Sequence, residues 1–216
     1  MGEGPTLRLD HVLLFAPTLD QAMTRFGILT GVEAQMGGAH PDHGSVNALV
    51  SMGTSYIELI ARADRRGTRG GIEVIDYALQ CADIEAVAAQ GDALGLEVRW
   101  MDGQRLTANG TLLRWRSFMF EGHDFAGLVP FFIDWGATPH PSATSPGGVS
   151  SPHLTAFHPD AERLALLYRQ FGIEVPVIAQ PEPGLRLDVA TPKGVVSFGG
   201  DARGWRAALA ADSHIH

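Results

Sequence analysis

Leu9-Asp10-His11-Val12-Leu13-Leu14-Phe15-Ala16-Pro17-Thr18-Leu19-Asp20 decides the fold, because it recurs. From residue 151 the chain reads Ser151-Pro152-His153-Leu154-Thr155-Ala156-Phe157-His158-Pro159-Asp160-Ala161-Glu162. Both stretches open an apolar run on a histidine, pass through Phe-x-Pro and end on an acid-bearing helix start. A fainter copy, Ile75-Asp76-Tyr77-Ala78-Leu79-Gln80-Cys81-Ala82-Asp83-Ile84-Glu85, lies between them. The copies recur at roughly 65 to 75 residue intervals and mark three similar strand-then-helix openings.

Each opening predicts a five-element unit. Residues 7–15 alternate, placing His11, Leu13 and Phe15 on one face and Val12 and Leu14 on the other. Thr18 caps a helix with Gln21 three residues on, and Leu19, Ala22, Met23 and Phe26 repeat at helical spacing up to Gly27 and Gly31. Strands are expected at 32–35, 46–51 and 55–61, separated by the Gly- and Pro-rich stretch 37–44. The second unit has a strand at 75–79, a helix capped by Asp83, strands at 96–101 and 111–121 around an Asn109-Gly110 turn, and a last strand within 128–135. The third runs from the strand 153–157 through the helix 160–171 to strands near 174, 185–190 and 195–198. The fold class is therefore α+β: three repeated βαβββ modules with cupped mixed sheets forming an incomplete barrel. A domain of residues 7–136, made of modules 7–61 and 75–136, is joined by the linker 137–150 to the third module, 151–200, and the tail 201–216.

Composition narrows the function. The 216 residues carry a formal charge of −8, which argues against a nucleic-acid partner. The cluster Arg62, Arg65, Arg66 and Arg69 reads as a solvated loop. Cys81 is the one cysteine, so no intrachain disulfide forms, and its apolar surroundings suit a buried thiol. Residues 1–5 lack the basic and apolar regions of a signal peptide, and no apolar run reaches the ~20 residues of a membrane span. A cytoplasmic protein is expected. The Ser213-His214-Ile215-His216 ending carries no expected role.

The chemistry is expected where the first and last strands of a module are neighbours. There His11 and Glu58 face one another, an imidazole and a carboxylate suited to a divalent ion. Glu58 lies between Tyr56, Ile57, Leu59 and Ile60, and an unpartnered carboxylate is costly to bury, so a metal-ligand or catalytic proton-transfer role is expected for it. Laying 131–136 on 55–60 places Asp134 in the Glu58 position and Tyr77 in that of His11; the third module offers His153. Two sets stay open: His11, Glu58 and Asp134, or His11, Glu58 and His153. The second is a two-His-one-carboxylate set. His40, His43 and Asn47 are candidate substrate anchors, with His43 also a candidate general base. Arg114 and Arg116 share one strand face and Trp115 the other. With the arginines inward they would grip an oxyanion; with them outward Trp115 would line the cavity.

Leu9-Asp10-His11-Val12, His40-Pro41-x-His43-Gly44-Ser45-x-Asn47-Ala48-Leu49, Tyr56-Ile57-Glu58-Leu59-Ile60, Leu113-Arg114-Trp115-Arg116 and Pro130-Phe131-Phe132-Ile133-Asp134-Trp135 together resemble the vicinal-oxygen-chelate superfamily. Within it the chain looks like the glyoxalase-like domain family. The resemblance covers residues 7–136 and implies paired βαβββ modules around a metal and substrate cavity, with ligands at His11 and Glu58. The chain departs from the metal-binding pattern at Tyr77, where the superfamily often has His or Gln.

The resemblance implies a divalent-metal-dependent enzyme (zinc, nickel, manganese or iron) of isomerase or lyase type, acting on a small molecule with neighbouring oxygens. The alternatives are a metal-free binding protein of the bleomycin-resistance type and a ring-cleaving dioxygenase. A binding protein would grip a flat ligand with Trp115, Trp135, Phe118 and Phe132. An odd third module leaves a concave sheet and edge to be covered by dimerisation or by the linker, and a homodimer is expected.

Overall fold

The structure is a computed structural model describing residues 6–40, 44–62, 71–106, 110–125 and 127–200. The first unit comprises β1 (Leu7–Phe15), α1 (Leu19–Thr30), β2 (Gln35–His40), β3 (Ser45–Ser51) and β4 (Tyr56–Arg62). The second comprises β5 (Glu73–Cys81), α2 (Ile84–Ala93), β6 (Glu97–Trp100), β7 (Gly103–Leu106), β8 (Leu112–Glu121) and β9 (Phe131–Asp134). The third comprises β10 (Ser150–His158), α3 (Ala161–Phe171), β11 (Val177–Ala179), β12 (Gly184–Thr191) and β13 (Gly194–Gly200).

The helices start where side-chain caps permit. Thr18 Oγ1 accepts from the Gln21 amide at 3.2 Å, Asp83 from Ala86 at 2.9 Å and Asp160 from Arg163 at 3.3 Å. α1 passes through Gly27 and stops at Gly31, whose φ of 76° is one only glycine adopts without strain. β2 departs from the sequence reading. It begins where a strand was expected to end and runs into the glycine stretch, because backbone pairing with β3 overrides composition there. Gly37 permits this approach, since a Cβ would meet Asn47 Oδ1 at 2.4 Å.

The first two units form one sheet in the order β2-β3-β4-β1-β5-β9-β8-β6, with β7 also paired to β8. β1 runs parallel to β4, with Leu13 opposite Glu58, and antiparallel to β5. The expected 96–101 strand is broken in two. Ser117 bonds to both Met101 and Asp102, so β8 pairs with β6 through one half and with β7 through the other. That break turns β7 inwards until Arg105 Nη1 donates to the Gly37 carbonyl on β2, and the cup is nearly closed.

Alternation assigns the two faces. Val12, Leu14, Ile57, Leu59, Tyr77, Leu79, Phe118, Phe120 and Phe132 are buried in the convex-side core. The third unit docks on that side, its own sheet ordered β11-β10-β12-β13. Its Tyr168, Phe171, Leu187 and Phe198 share the core, with Phe198 stacked on Phe26 at 5.7 Å and Phe171 against Phe120 at 5.1 Å. Tyr77 donates to the Tyr168 hydroxyl at 2.9 Å, which donates to the Leu128 carbonyl at 2.5 Å. Among the described residues no helix is long and apolar enough to cross a membrane.

Candidate functional site

A cavity of about 150 Å³ opens on the concave face, lined by His11, Asn47, Tyr56, Glu58, Asp76 and Arg105 among apolar and aromatic side chains. Its chemistry begins with an irregularity in β1. Leu9 pairs with Leu79 and His11 with Ala78, so Asp10 is an extra residue in a β-bulge. The bulge lets two consecutive side chains meet, which strict alternation forbids.

Asp10 Oδ1 lies 2.6 Å from His11 Nδ1. Its Oδ2 takes the Trp135 indole N–H at 3.0 Å and lies 3.1 Å from His140 Nε2. His140 Nδ1 accepts from the Ser142 amide at 3.3 Å, so its Nε2 carries the proton directed at Asp10. Burial opposes ionisation of Asp10, but the hydrogen bonds from His11 and His140, with the His11 charge, outweigh it and hold the carboxyl down at about 2. Burial likewise opposes a charged His11. The Asp10 bond, with the charges of Asp10, Glu58 and Asp76, overcomes that and raises the imidazole above its ordinary value.

With Nδ1 fixed by Asp10, His11 points Nε2 at Glu58 Oε2, 3.4 Å away. The ring is stacked on Tyr56 at 4.6 Å and meets the edge of Phe131 at 5.3 Å, so it has one orientation. Glu58 Oε1 accepts from Asn47 Nδ2 at 2.6 Å. Burial, Asp10 and Glu58 push the Tyr56 phenol well above its ordinary value, so it remains neutral.

His11, Glu58 and Asn47 thus meet as the sequence arrangement requires. Other expected residues do not join them. Asp134 follows the inward Ile133 on β9 and faces the other way, accepting from the Gly136 amide. The sequence overlay is one residue out of step: Ile133, across from Gln80, stands where Asp134 was expected, and Ala78 rather than Tyr77 lies opposite His11. His153 is exposed on β10 of the third unit, in a groove with Leu7 and Leu9 on the outer side of the barrel. Arg114 and Arg116 point outward; Arg116 pairs with Glu85 at 2.6 Å and covers Trp100. Trp115 accordingly lines the cavity, close against Gly103, where a Cβ would sit 2.4 Å from the indole. Phe118 and Phe132 belong to the convex-side core, not the cup. His40 closes β2 opposite Ser45, and His43, Arg65, Arg66, Arg69, Asn109 and the tail lie outside the described residues.

Three participants escaped the sequence reading. Asp10 carries no role in the sequence reading, although its place beside His11 is a usable signal. Arg105 enters only because β6 and β7 are separated by a break, which no local pattern announces. His140 sits in the expected linker, which instead crosses the barrel end with Pro146 O accepting from the Ser51 amide at 2.8 Å.

Zinc centres and two-His-one-carboxylate iron centres take three protein ligands. Among the described residues no cluster of three or more His, Cys, Asp or Glu side chains converges in a metal-holding arrangement. His11 and Glu58 supply two donors, and the Arg105 guanidinium shares their cavity. This donor set does not fit a divalent centre by itself.

A family model described as glyoxalase-like domain matches residues 9–172. No curated protein matches the sequence. The crystal structure of a hypothetical protein from Staphylococcus aureus superposes with a TM-score of 0.64 at 17% identity, covering 91% of this chain and 86% of that one. Methylmalonyl-CoA epimerase from Mycobacterium tuberculosis superposes with a TM-score of 0.46 at 20% identity, over 63% of this chain and 91% of that one. The Streptomyces coelicolor enzyme, in complex with 2-nitronate-propionyl-CoA, gives 0.46 at 21% identity, over 62% and 98%. The Staphylococcus aureus likeness is one of fold.

Proposed function

The chain belongs to the glyoxalase-like domain family of the vicinal-oxygen-chelate superfamily, and from that premise we propose that it is a small-molecule enzyme of isomerase or lyase type whose step is proton transfer beside a carbonyl. The observation that carries this is the buried pair Glu58 and His11, 3.4 Å apart, with the imidazole locked by Asp10. A base and an acid at that distance, inside an apolar cavity, can act on neighbouring atoms of one substrate.

In this step the C–H proton passes to Glu58, held by the Asn47 amide. The bonding pair left on carbon moves to the carbonyl oxygen as an enolate, towards which His11 Nε2 directs its N–H. Returning the proton to the same carbon inverts or restores that centre. Where that carbon carries a hydroxyl, its O–H proton passes through His11 to the former carbonyl oxygen and the first carbon becomes the carbonyl. The proton on Glu58 is then delivered to the adjacent carbon, completing an isomerisation. Expelling a leaving group from the enolate instead completes an elimination. The aromatic walls exclude water, which strengthens both polar interactions.

The test is deuterium wash-in. A panel of small 2-oxo acids, 2-hydroxy ketones and thioesters is incubated with the protein in D₂O and followed by proton NMR. Enzyme-dependent exchange that Glu58→Gln abolishes is the expected result. Ligand binding by the wild type with no exchange across the panel would replace this reading by the metal-free binding protein, which the Trp115, Trp135 and Phe131 walls also suit.

A further inference from the structure

The concave face holds a second cavity. About 280 Å³ in volume, it lies between the β2–β7 seam and the segment that follows β9, with Met36, Leu49, Leu113, Pro139 and Pro141 in its walls. Arg105 lines both this cavity and the one containing Glu58. It is the partition between them, pinned across the seam by its bond to the Gly37 carbonyl.

Arg105 is only 8% exposed. Among the described residues no carboxylate forms an ion pair with it; its hydrogen-bond partner is a neutral carbonyl. A buried guanidinium without a counter-charge is costly. The nearby acids are engaged elsewhere: Asp10 with His11, Trp135 and His140, Glu58 with Asn47 and His11, and Asp76 with the Tyr77 amide. A carboxylate matches the planar fork of N–H donors that a guanidinium presents.

We propose that the substrate is a carboxylic acid with an extended apolar body, its carboxylate gripped by Arg105 at the junction and its body lying in the second cavity. Its reacting carbon then lies on the Glu58 side. The inference rests on the acid–base reading of the first cavity and adds the substrate class. It also gives the oxyanion role expected of Arg114 and Arg116 to Arg105 instead.

The experiment is isothermal titration calorimetry with propanoate, 6-phenylhexanoate and the primary amides of both, against wild type, Arg105→Gln, Arg105→Lys and Thr111→Phe. Thr111 is an exposed wall residue of the second cavity and stands apart from the Arg105–Gly37 bond. Wild type is expected to bind both acids at least tenfold more tightly than their amides, and 6-phenylhexanoate more tightly than propanoate. Arg105→Gln should remove the preference for the acids, and Arg105→Lys should retain part of it. Thr111→Phe should weaken 6-phenylhexanoate several-fold and leave propanoate unchanged. Amides that bind as well as acids would overturn the proposal, as would equal effects of Thr111→Phe on both acids. The two readings fail separately: charge-dependent binding without deuterium wash-in removes the acid–base step alone, and wash-in without charge dependence removes the Arg105 inference alone.

Discussion

Replacing Asp10 by asparagine tests the bulge and everything it holds. Three N–H groups, from His11, Trp135 and His140, converge on two carboxylate oxygens. An asparagine offers one oxygen and one NH₂, so at least one of the three must face a donor. The loss of a charge-assisted bond costs about 1.5–3 kcal/mol, and a buried donor left unmet costs about 1–3 more. Asp10→Asn should therefore destabilise by about 3–5 kcal/mol, read from urea unfolding at pH 7 followed by tryptophan fluorescence, with an unchanged m-value. Part of that difference is pH-dependent with a defined sign. The folded carboxyl sits at about 2 against an ordinary 3.8, so its ionisation stabilises the fold above pH 4 and the gain is lost as pH falls towards 2. The linkage amounts to about 2 kcal/mol, of which roughly half is gone at pH 3. In wild type alone this carboxyl's contribution should fall by about 1 kcal/mol between pH 5 and pH 3. A loss below about 1 kcal/mol at pH 7 would refute the assigned hydrogen bonds.

Other consequences are simpler to measure. Gly103→Ala should destabilise by about 1–3 kcal/mol in the same assay and shift tryptophan emission, because the new methyl overlaps the Trp115 indole. Burial, with Asp134, Asp83 and Asp10, pushes the Cys81 thiol up to about 12, so iodoacetamide at pH 8 should alkylate it only when urea unfolds the chain. Tyr77→Phe removes the donor to Tyr168 and should cost about 1 kcal/mol in urea unfolding. Arg114→Ala and Arg116→Ala should leave carboxylate affinity unchanged in calorimetry, since both side chains face solvent away from the cavity.

Much of the fold is written in local pattern. Helix caps at Thr18, Asp83 and Asp160 and alternation in residues 7–15 and 55–61 specify where elements start and which face each presents. The same alternation brings His11 and Glu58 together, because parallel pairing of β1 and β4 sets Leu13 opposite Glu58. What alternation cannot show is where it fails. The extra residue at Asp10 depends on pairing with β5, and the break that turns Arg105 inward depends on Ser117 bonding to Met101 and Asp102 across the sheet. An overlay of one module on another is equally fragile. A slip of one residue moved Asp134 to the opposite face and exchanged Tyr77 for Ala78. The histidine pattern in residues 151–158 repeats that of residues 9–16, but the third unit docks against the convex side, so His153 never meets His11. Repetition of sequence fixes the shape of a module, not its place.

The most direct measurement is the rate constant for deuterium wash-in by Glu58→Gln relative to wild type, on whichever panel compound exchanges fastest. The substitution keeps the shape of the side chain and removes its capacity to take a proton. A positioned general base contributes about 10²–10⁴-fold, so the account predicts at least a hundredfold loss. Exchange within a few-fold of wild type would contradict it.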